Sequence, residues 1–247
     1  MNYSPSPTLL KDRVILVTGA GQGIGKTAAL AYAQHGATVI LLGRNQKRLD
    51  ATYDEIVNGG YPEPMALKLD LAQASDDDFQ AMAQAIFDQL GRLDGILHNA
   101  SRFDGLAPLE YQSLDQWMGT LRVNLAAPVA LTRACLPLLT RAPDAAVLLT
   151  SETHGHQPAA FWGAFAVSKW ALEGLVTIWS QELAVHPNLR MNVVIPGPVR
   201  APQRLISHPA EARTHLPEPS RLMPLYLYLT GPDSQEHKGK IFEAQFG

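Results

Sequence analysis

Three of the four glycines in TGAGQGIG, Thr18 to Gly25, constrain this chain more than any other feature. The stretch follows the apolar run RVILV and leads directly into the helical run IGKTAALAYAQHG, which ends at Gly36 as a helix stop. A strand that turns through glycine into a helix lets the backbone approach a pyrophosphate. The helix start then offers N–H groups and the positive end of its dipole. Gly19, Gly23 and Gly25 make that approach feasible, with Ile24 between the last two. A glycine-rich turn with no ligand has the same composition. The strand–turn–helix context, and a second strand ending at the expected distance, favour dinucleotide binding.

The same alternation runs on to the C-terminus. Apolar β-type runs occupy residues 13–19, 37–43, 65–71, 93–100, 145–151, 190–197 and 240–245, separated by helical patterns. Their near-continuous hydrophobicity suits strands covered on both faces, as in a parallel sheet. With 46% hydrophobic and only 17% charged residues, the composition supports the large core such a fold needs. The pattern predicts one doubly wound α/β domain over residues 11–247, preceded by a short polar tail, residues 1–10. Residues 201–222, rich in Pro, His and Arg, fit neither pattern and are expected to form a surface excursion that covers a site.

A net charge of −3 provides no basic field for nucleic acid or anionic lipid. The one cysteine, Cys135, excludes an internal disulfide and a thiolate metal cluster. No apolar run approaches the roughly 18 residues of a membrane span, and MNYSPSPT does not read as a signal peptide. A soluble cytoplasmic protein is expected. The second strand, VILLGRN, lacks the acidic residue that would bind the ribose hydroxyls of NAD. Arg44 stands there instead and can pair with a 2′-phosphate, which favours NADP over NAD, although a solvated arginine beside Lys47 and Arg48 reads equally simply.

The glycine loop, HNAS at 98–101, Asn124 within LRVNLAA and the Ser168-Lys169 pair in GAFAVSKWAL together resemble the short-chain dehydrogenase/reductase family, over about residues 11–247. HNAS and the tail RLMPLYLYLTGPDS are similar to its bacterial YciK-like oxidoreductase branch. The resemblance implies a Rossmann-type, mainly parallel seven-stranded sheet and NADP-dependent hydride transfer on a small carbonyl or alcohol. It places Asp70 and Leu71 at the adenine, and Asn99, Ala100 and Ser101 along the adenosine ribose. Asn124 would kink a helix and hold a relay water, Lys169 would grip the nicotinamide ribose, and Pro196-Gly197 would turn beside the nicotinamide. It also implies a homodimer or homotetramer, pairing the helices around 113–139 and 164–185 through a face carrying Leu172, Leu175 and Trp179.

The departures from the family lie in the chemistry. The family's tyrosine, four residues before the lysine, is Phe165 here, and its serine, thirteen residues before the tyrosine, is Glu152. Ser151 is one residue early, and in a strand a one-residue shift turns the side chain to the other face. Ala201 stands where a threonine is usual. Glu152 is either a desolvated acid near the nicotinamide or a strand-end glutamate in water, the plainer alternative. In an extended segment Glu152, His154 and His156 would share one face, but without a fourth ligand no metal site is assigned. Trp162, Trp170 and Trp179 read as packing or subunit-contact residues. Three readings stay open: an oxidoreductase of weak or altered activity, a catalytically inactive NADP-binding sensor or partner subunit, and a structural subunit that needs no cofactor.

Overall fold

The unbroken apolar runs form strands buried on both faces, as their composition requires. A computed structural model of the chain describes residues 3–245. In chain order the first half comprises β1 (Val14–Thr18), α1 (Gly23–Gln34), β2 (Thr38–Gly43), α2 (Gln46–Asn58), β3 (Met65–Lys68), α3 (Asp76–Leu90) and β4 (Gly95–His98). After these come α4 (Leu114–Leu121), a π-helical turn (Arg122–Ala126), α5 (Ala127–Leu139), β5 (Ala145–Thr150), the single turn α6 (Thr153–His156) and α7 (Gly163–Glu182). The chain ends with β6 (Leu189–Ile195), α8 (Pro202–Ser207), α9 (Met223–Thr230) and β7 (Ile241–Glu243). Each expected apolar run holds one strand, shorter by one to four residues, with β6 starting one residue before its run, at Leu189.

The strands form one sheet in the order β3-β2-β1-β4-β5-β6-β7, and every neighbouring pair is parallel. Side chains alternate between two cores. Ile15, Val17, Val39 and Leu41 face α1, α2 and α9, while Leu16, Ile40, Val147 and Val193 face α3, α5 and α7. The order reverses between β1 and β4, so the loops at their C-terminal ends part there. That crevice is where open α/β sheets bind ligands.

One expectation, the outward face of α7, is corrected here, and two segments gain definition. Residues 3–10 of the N-terminal tail pack onto the domain. Leu10 is fully buried with its N–H on the His35 carbonyl, and Tyr3 packs edge-on against Tyr228 while bonding Asp233. The apolar pair Leu9-Leu10 drives this by covering the ends of α1 and α9. The 201–222 excursion is anchored, with α8 and two 3-10 turns inside it and Ser207, Leu216 and Leu222 buried. On α7, Leu172 is buried and Leu175 and Trp179 pack against the same core. That face covers this chain's own sheet. The outward face carries Val167, Trp170 and Ile178, all exposed.

The opposite end of the sheet is held by charge. Asp144, just before β5, pairs with Arg13 at 2.6 Å and with Arg190. Arg190, 2% exposed, also donates to the Gly231 carbonyl at 2.6 Å and to Ser234 Oγ at 3.1 Å. One carboxylate therefore compensates two guanidinium groups at the starts of β1 and β6. Asp144→Asn leaves both uncompensated and should lower stability by about 3 kcal/mol, the low end for a broken buried pair because Asp144 keeps some solvent contact. Urea unfolding monitored by circular dichroism checks this, and a midpoint shift no larger than that of a surface substitution would remove the network from the account.

Candidate active site

β1 ends at Thr18, whose Oγ1 accepts the N–H groups of Asn99 and Ala100, both at 3.0 Å. This draws the glycine loop onto the loop after β4. Gly19 has φ +69°, and a Cβ there would lie 3.0 Å from Ala100 Cα. A Cβ on Gly25 would collide with the Gly19 carbonyl oxygen and lie 2.6 Å from Asn99 Nδ2. Gly23 has φ +56° and would meet Pro202, which brings the 201–222 segment against the loop. α1 begins at Gly23 with no side-chain cap, so its first N–H groups, with Ile24 on the first turn, remain available. The loop is thus closely packed while the start of its helix stays open.

At the end of β2, Arg44 is exposed and has no ion pair among the described residues. Asn45 caps α2 through Arg48 N, and the Arg48 guanidinium reaches back to Gln22 Oε1 across the glycine loop. Arg48 is thus the arginine seated on the loop; its place one turn after Arg44 was the available signal. Asp70 turns its own backbone, accepting Ala72 N at 3.0 Å, and Leu71 is buried beneath it. Pro196 and Gly197 (φ +71°) are braced by Gln245, whose amide donates to the Pro196 and Pro198 carbonyls at 2.8 and 2.7 Å. Ser101 is exposed beside Ala100.

Asn124 lies in the π-helical turn, which gives the expected kink a definite form. Its side chain accepts Arg102 N at 2.7 Å and donates to the Arg102 carbonyl at 3.1 Å and to Ser168 Oγ at 2.9 Å. Lys169 is buried, with Nζ on the Thr150 carbonyl at 2.8 Å. Burial pushes its pKa down to about 8, against the opposing pull of Glu152. His98, behind it, bonds Thr132 at 2.7 Å, and burial aided by Lys169 pushes it down to about 3, so it stays neutral. Phe165 is buried with Lys169 Nζ 5.8 Å from its ring centre. Phe103 meets that ring edge-on at 4.9 Å and stacks on Trp162 at 5.5 Å.

The segment after β5 departs from its reading as an extended strand. It winds into α6, so Glu152, His154 and His156 do not share a face. Glu152 neither points freely into water nor stands alone as an acid. Its Oε2 accepts His154 N at 2.6 Å and lies 3.2 Å from His154 Nδ1. The His154 ring stacks on Trp162, centroids 4.1 Å apart and planes within 10°. Ser151 turns the other way and donates to Glu173 Oε1 at 3.0 Å, while His156 Nδ1 binds Glu173 Oε2 at 2.8 Å. Gly155 is required because a Cβ there would run into Lys169. His208, after α8, brings its ring within 6.4 Å of His154 and 6.0 Å of Trp162. Phe103, Glu173 and His208 lay outside the sequence-derived site, because only the fold brings their distant segments together.

The glycine loop fits a dinucleotide: it combines left-handed glycines and open helix N–H groups with Arg44 and Arg48 at the end of β2 and the start of α2. Next to Lys169 stand the rings of Phe165, Phe103 and Trp162, none of which carries a hydroxyl. Among the described residues no group of three or more His, Cys, Asp or Glu could hold a metal. No helix among them is long and apolar enough to cross a membrane.

The short chain dehydrogenase family model matches residues 13–209. The uncharacterized oxidoreductase YciK of Escherichia coli (strain K12) is 41% identical over all of this chain and 97% of its own length. A short chain dehydrogenase structure from Pseudomonas syringae is 44% identical, with a TM-score of 0.97 over 99% of both chains. Another, from Escherichia coli CFT073 and complexed with NADPH, is 41% identical, with a TM-score of 0.95 over 98% of this chain and 100% of that one.

The His156–Glu173 contact carries a pH dependence. The hydrogen bond to Glu173 raises the His156 pKa, outweighing desolvation. A raised folded value contributes stability that is complete below the unfolded pKa, about 6.5, and is lost as pH rises through the folded value. His156→Gln should therefore lower the melting temperature at pH 5.5 and do so progressively less at alkaline pH. Because His156 is partly exposed, the effect is small. Melting curves of both proteins from pH 5 to 9 check the sign, and a gap that widens with pH contradicts it.

Proposed function

Because this chain belongs to the short-chain dehydrogenase family, we propose that it is an NADP-dependent oxidoreductase acting on a small carbonyl or alcohol, with the family's serine and tyrosine positions substituted and its activity weak or altered. The observation that carries this reading is the uncapped start of α1 flanked by Arg44 and Arg48, with no carboxylate at the end of β2. Two guanidinium groups there can hold a 2′-phosphate, and an acidic residue would repel it. When bound, the reduced cofactor supplies hydride. Gly19, Gly23 and Gly25 admit the pyrophosphate, Asp70 and Leu71 border the adenine, Asn99 and Ala100 line the ribose, and Lys169 grips the second ribose. The NADPH complex of the Escherichia coli CFT073 relative supports the same cofactor.

Phe165 sets the expected level of turnover. A phenyl ring supplies no proton, and general acid–base help is worth about 10²–10⁴-fold. The packing of Phe165 between Phe103 and Trp162 favours the second reading, an NADP-binding protein without turnover. NADPH should raise the melting temperature more than NADH, and Arg44→Asp with Arg48→Asp should reverse that order. Equal responses to both cofactors would sink the arginine assignment, and no response to either would sink the site. Phe165→Tyr should bind NADPH as before and speed reduction of small aldehydes, diketones or quinones by about tenfold, a modest share of the general-acid contribution.

The reading includes self-association through a face other than the one first expected. Leu114 and Met118 on α4 and Val167, Trp170 and Ile178 on the adjoining α7 are exposed and apolar. A second copy would bury them. Light scattering should find a homodimer or homotetramer, and Trp170→Glu with Ile178→Glu should shift it toward monomer. A monomeric natural protein at micromolar concentration would contradict this.

A further inference from the structure

With no hydroxyl on Phe165, the proton for a reduced carbonyl must come from another group at the nicotinamide end. Most neighbours are committed. Ser151 donates to Glu173, Ser168 to the Phe165 carbonyl at 2.7 Å, and Lys169 to the Thr150 carbonyl. Glu152 serves as an acceptor for two N–H groups of His154. His154 differs. Its Nδ1 faces Glu152, its ring lies flat on Trp162, and its Nε2 has no hydrogen bond among the described residues. About a quarter of its side chain remains exposed.

We propose that His154 is the catalytic acid–base of this site, exchanging its proton at Nε2, and that Glu152 is the positioning residue that holds the ring. The inference rests on the hydride-transfer reading above. In the reductive direction the carbonyl carbon gains hydride from the reduced nicotinamide, which is oxidised. The carbonyl oxygen gains the proton of His154 Nε2, leaving a neutral imidazole that solvent reprotonates. In the oxidative direction neutral Nε2 takes the alcohol proton. Glu152 fixes the tautomer, because Nδ1–H donated to its carboxylate leaves Nε2 as the exchanging nitrogen. The Trp162 face fixes the plane of the ring. The glutamate at the usual serine position and the phenylalanine at the usual tyrosine position thereby become parts of one arrangement.

The charged and titratable groups around His154 come from three elements: its own turn α6, α7, and α8 with the chain after it. Glu152 lies on its own turn, with Lys169 beyond it. His208, Arg204 and Glu211 approach from α8 and the chain that follows, with Arg204 and Glu211 paired to each other at 2.6 Å. Burial, and next to it Arg204, lowers the pKa of His208, so it is the weaker candidate for carrying a proton near neutrality.

The test combines steady-state kinetics on aldehydes, diketones and quinones with a measurement that needs no cofactor. In the natural protein kcat/KM for NADPH-dependent reduction should fall as pH rises, and the oxidation of the product alcohol should rise over the same interval. His154→Gln should bind NADPH unchanged, lose about 10²-fold in kcat/KM and lose that pH dependence. Glu152→Gln keeps an oxygen for His154 N and should move both midpoints to lower pH. In the protein without cofactor, protonation of a histidine stacked on indole quenches its fluorescence. The natural protein should show a fluorescence titration that His154→Gln abolishes and Glu152→Gln shifts. Retained turnover by His154→Gln with an unchanged pH profile overturns the inference alone. NADPH binding without any turnover by the natural protein overturns it together with the enzyme reading, and absence of NADPH binding overturns the cofactor site on which both depend.

Discussion

Thr18 accepts two backbone N–H bonds at 3.0 Å, from Asn99 and Ala100, and through them joins the strands on either side of the point where the sheet order reverses. Parallel strands leave their C-terminal loops free to splay there. The hydroxyl limits that freedom, bringing the β4 loop so close to the glycine turn that a Cβ at Gly19 or Gly25 would touch it. The direction of α1, the opening of its N-terminus and the line of the crevice toward Lys169 follow from that closure. The far end of the sheet is independent of it, held by Asp144 between two arginines.

The fold was legible because strands buried on both faces need unbroken apolar runs, and seven such runs were present. The cofactor side was legible for a related reason. Positive φ at Gly19, Gly23 and Gly197 is a backbone requirement that few other residues meet, so it marks the sequence directly. Arg48 was undervalued because the sequence shows its distance along α2 and not that the helix leans its first turn onto Gly21. The face of α7 was misassigned for a similar reason. Leu172, Leu175 and Trp179 form an apolar stripe, and a stripe says that something covers it without saying whether that is the chain's own sheet or a neighbour.

Residues 151–156 were hardest to read because alternation means opposite things in a strand and in a helical turn. Taken as extended, the segment puts Glu152, His154 and His156 on one side. Wound as α6, it sends His154 onto Trp162 and His156 to Glu173. The deciding residue is Gly155, which lets the turn approach Lys169 as no larger residue would. Ser151 and Glu152 then separate as neighbours at a strand end should, one toward α7 and the other over the crevice.

Residues 152, 155 and 165 impose consistent physical demands on one another. A phenol enclosed by Phe103 and Trp162 would need a partner for its hydroxyl or incur about 1–3 kcal/mol of desolvation; a phenyl ring has no such requirement and packs edge-on. A serine at position 152 could cap the α6 turn but would not reach an imidazole two residues on with a full negative charge, as Glu152 does. A larger side chain than Gly155 would push the turn off Lys169 and carry His154 away from Trp162. Phe165, Glu152 and Gly155 together therefore shape an aromatic, histidine-bearing wall beside the buried Lys169. On the hydride-transfer reading proposed above, selectivity and proton transfer fall to that wall, since the glycine-loop side offers mainly backbone groups.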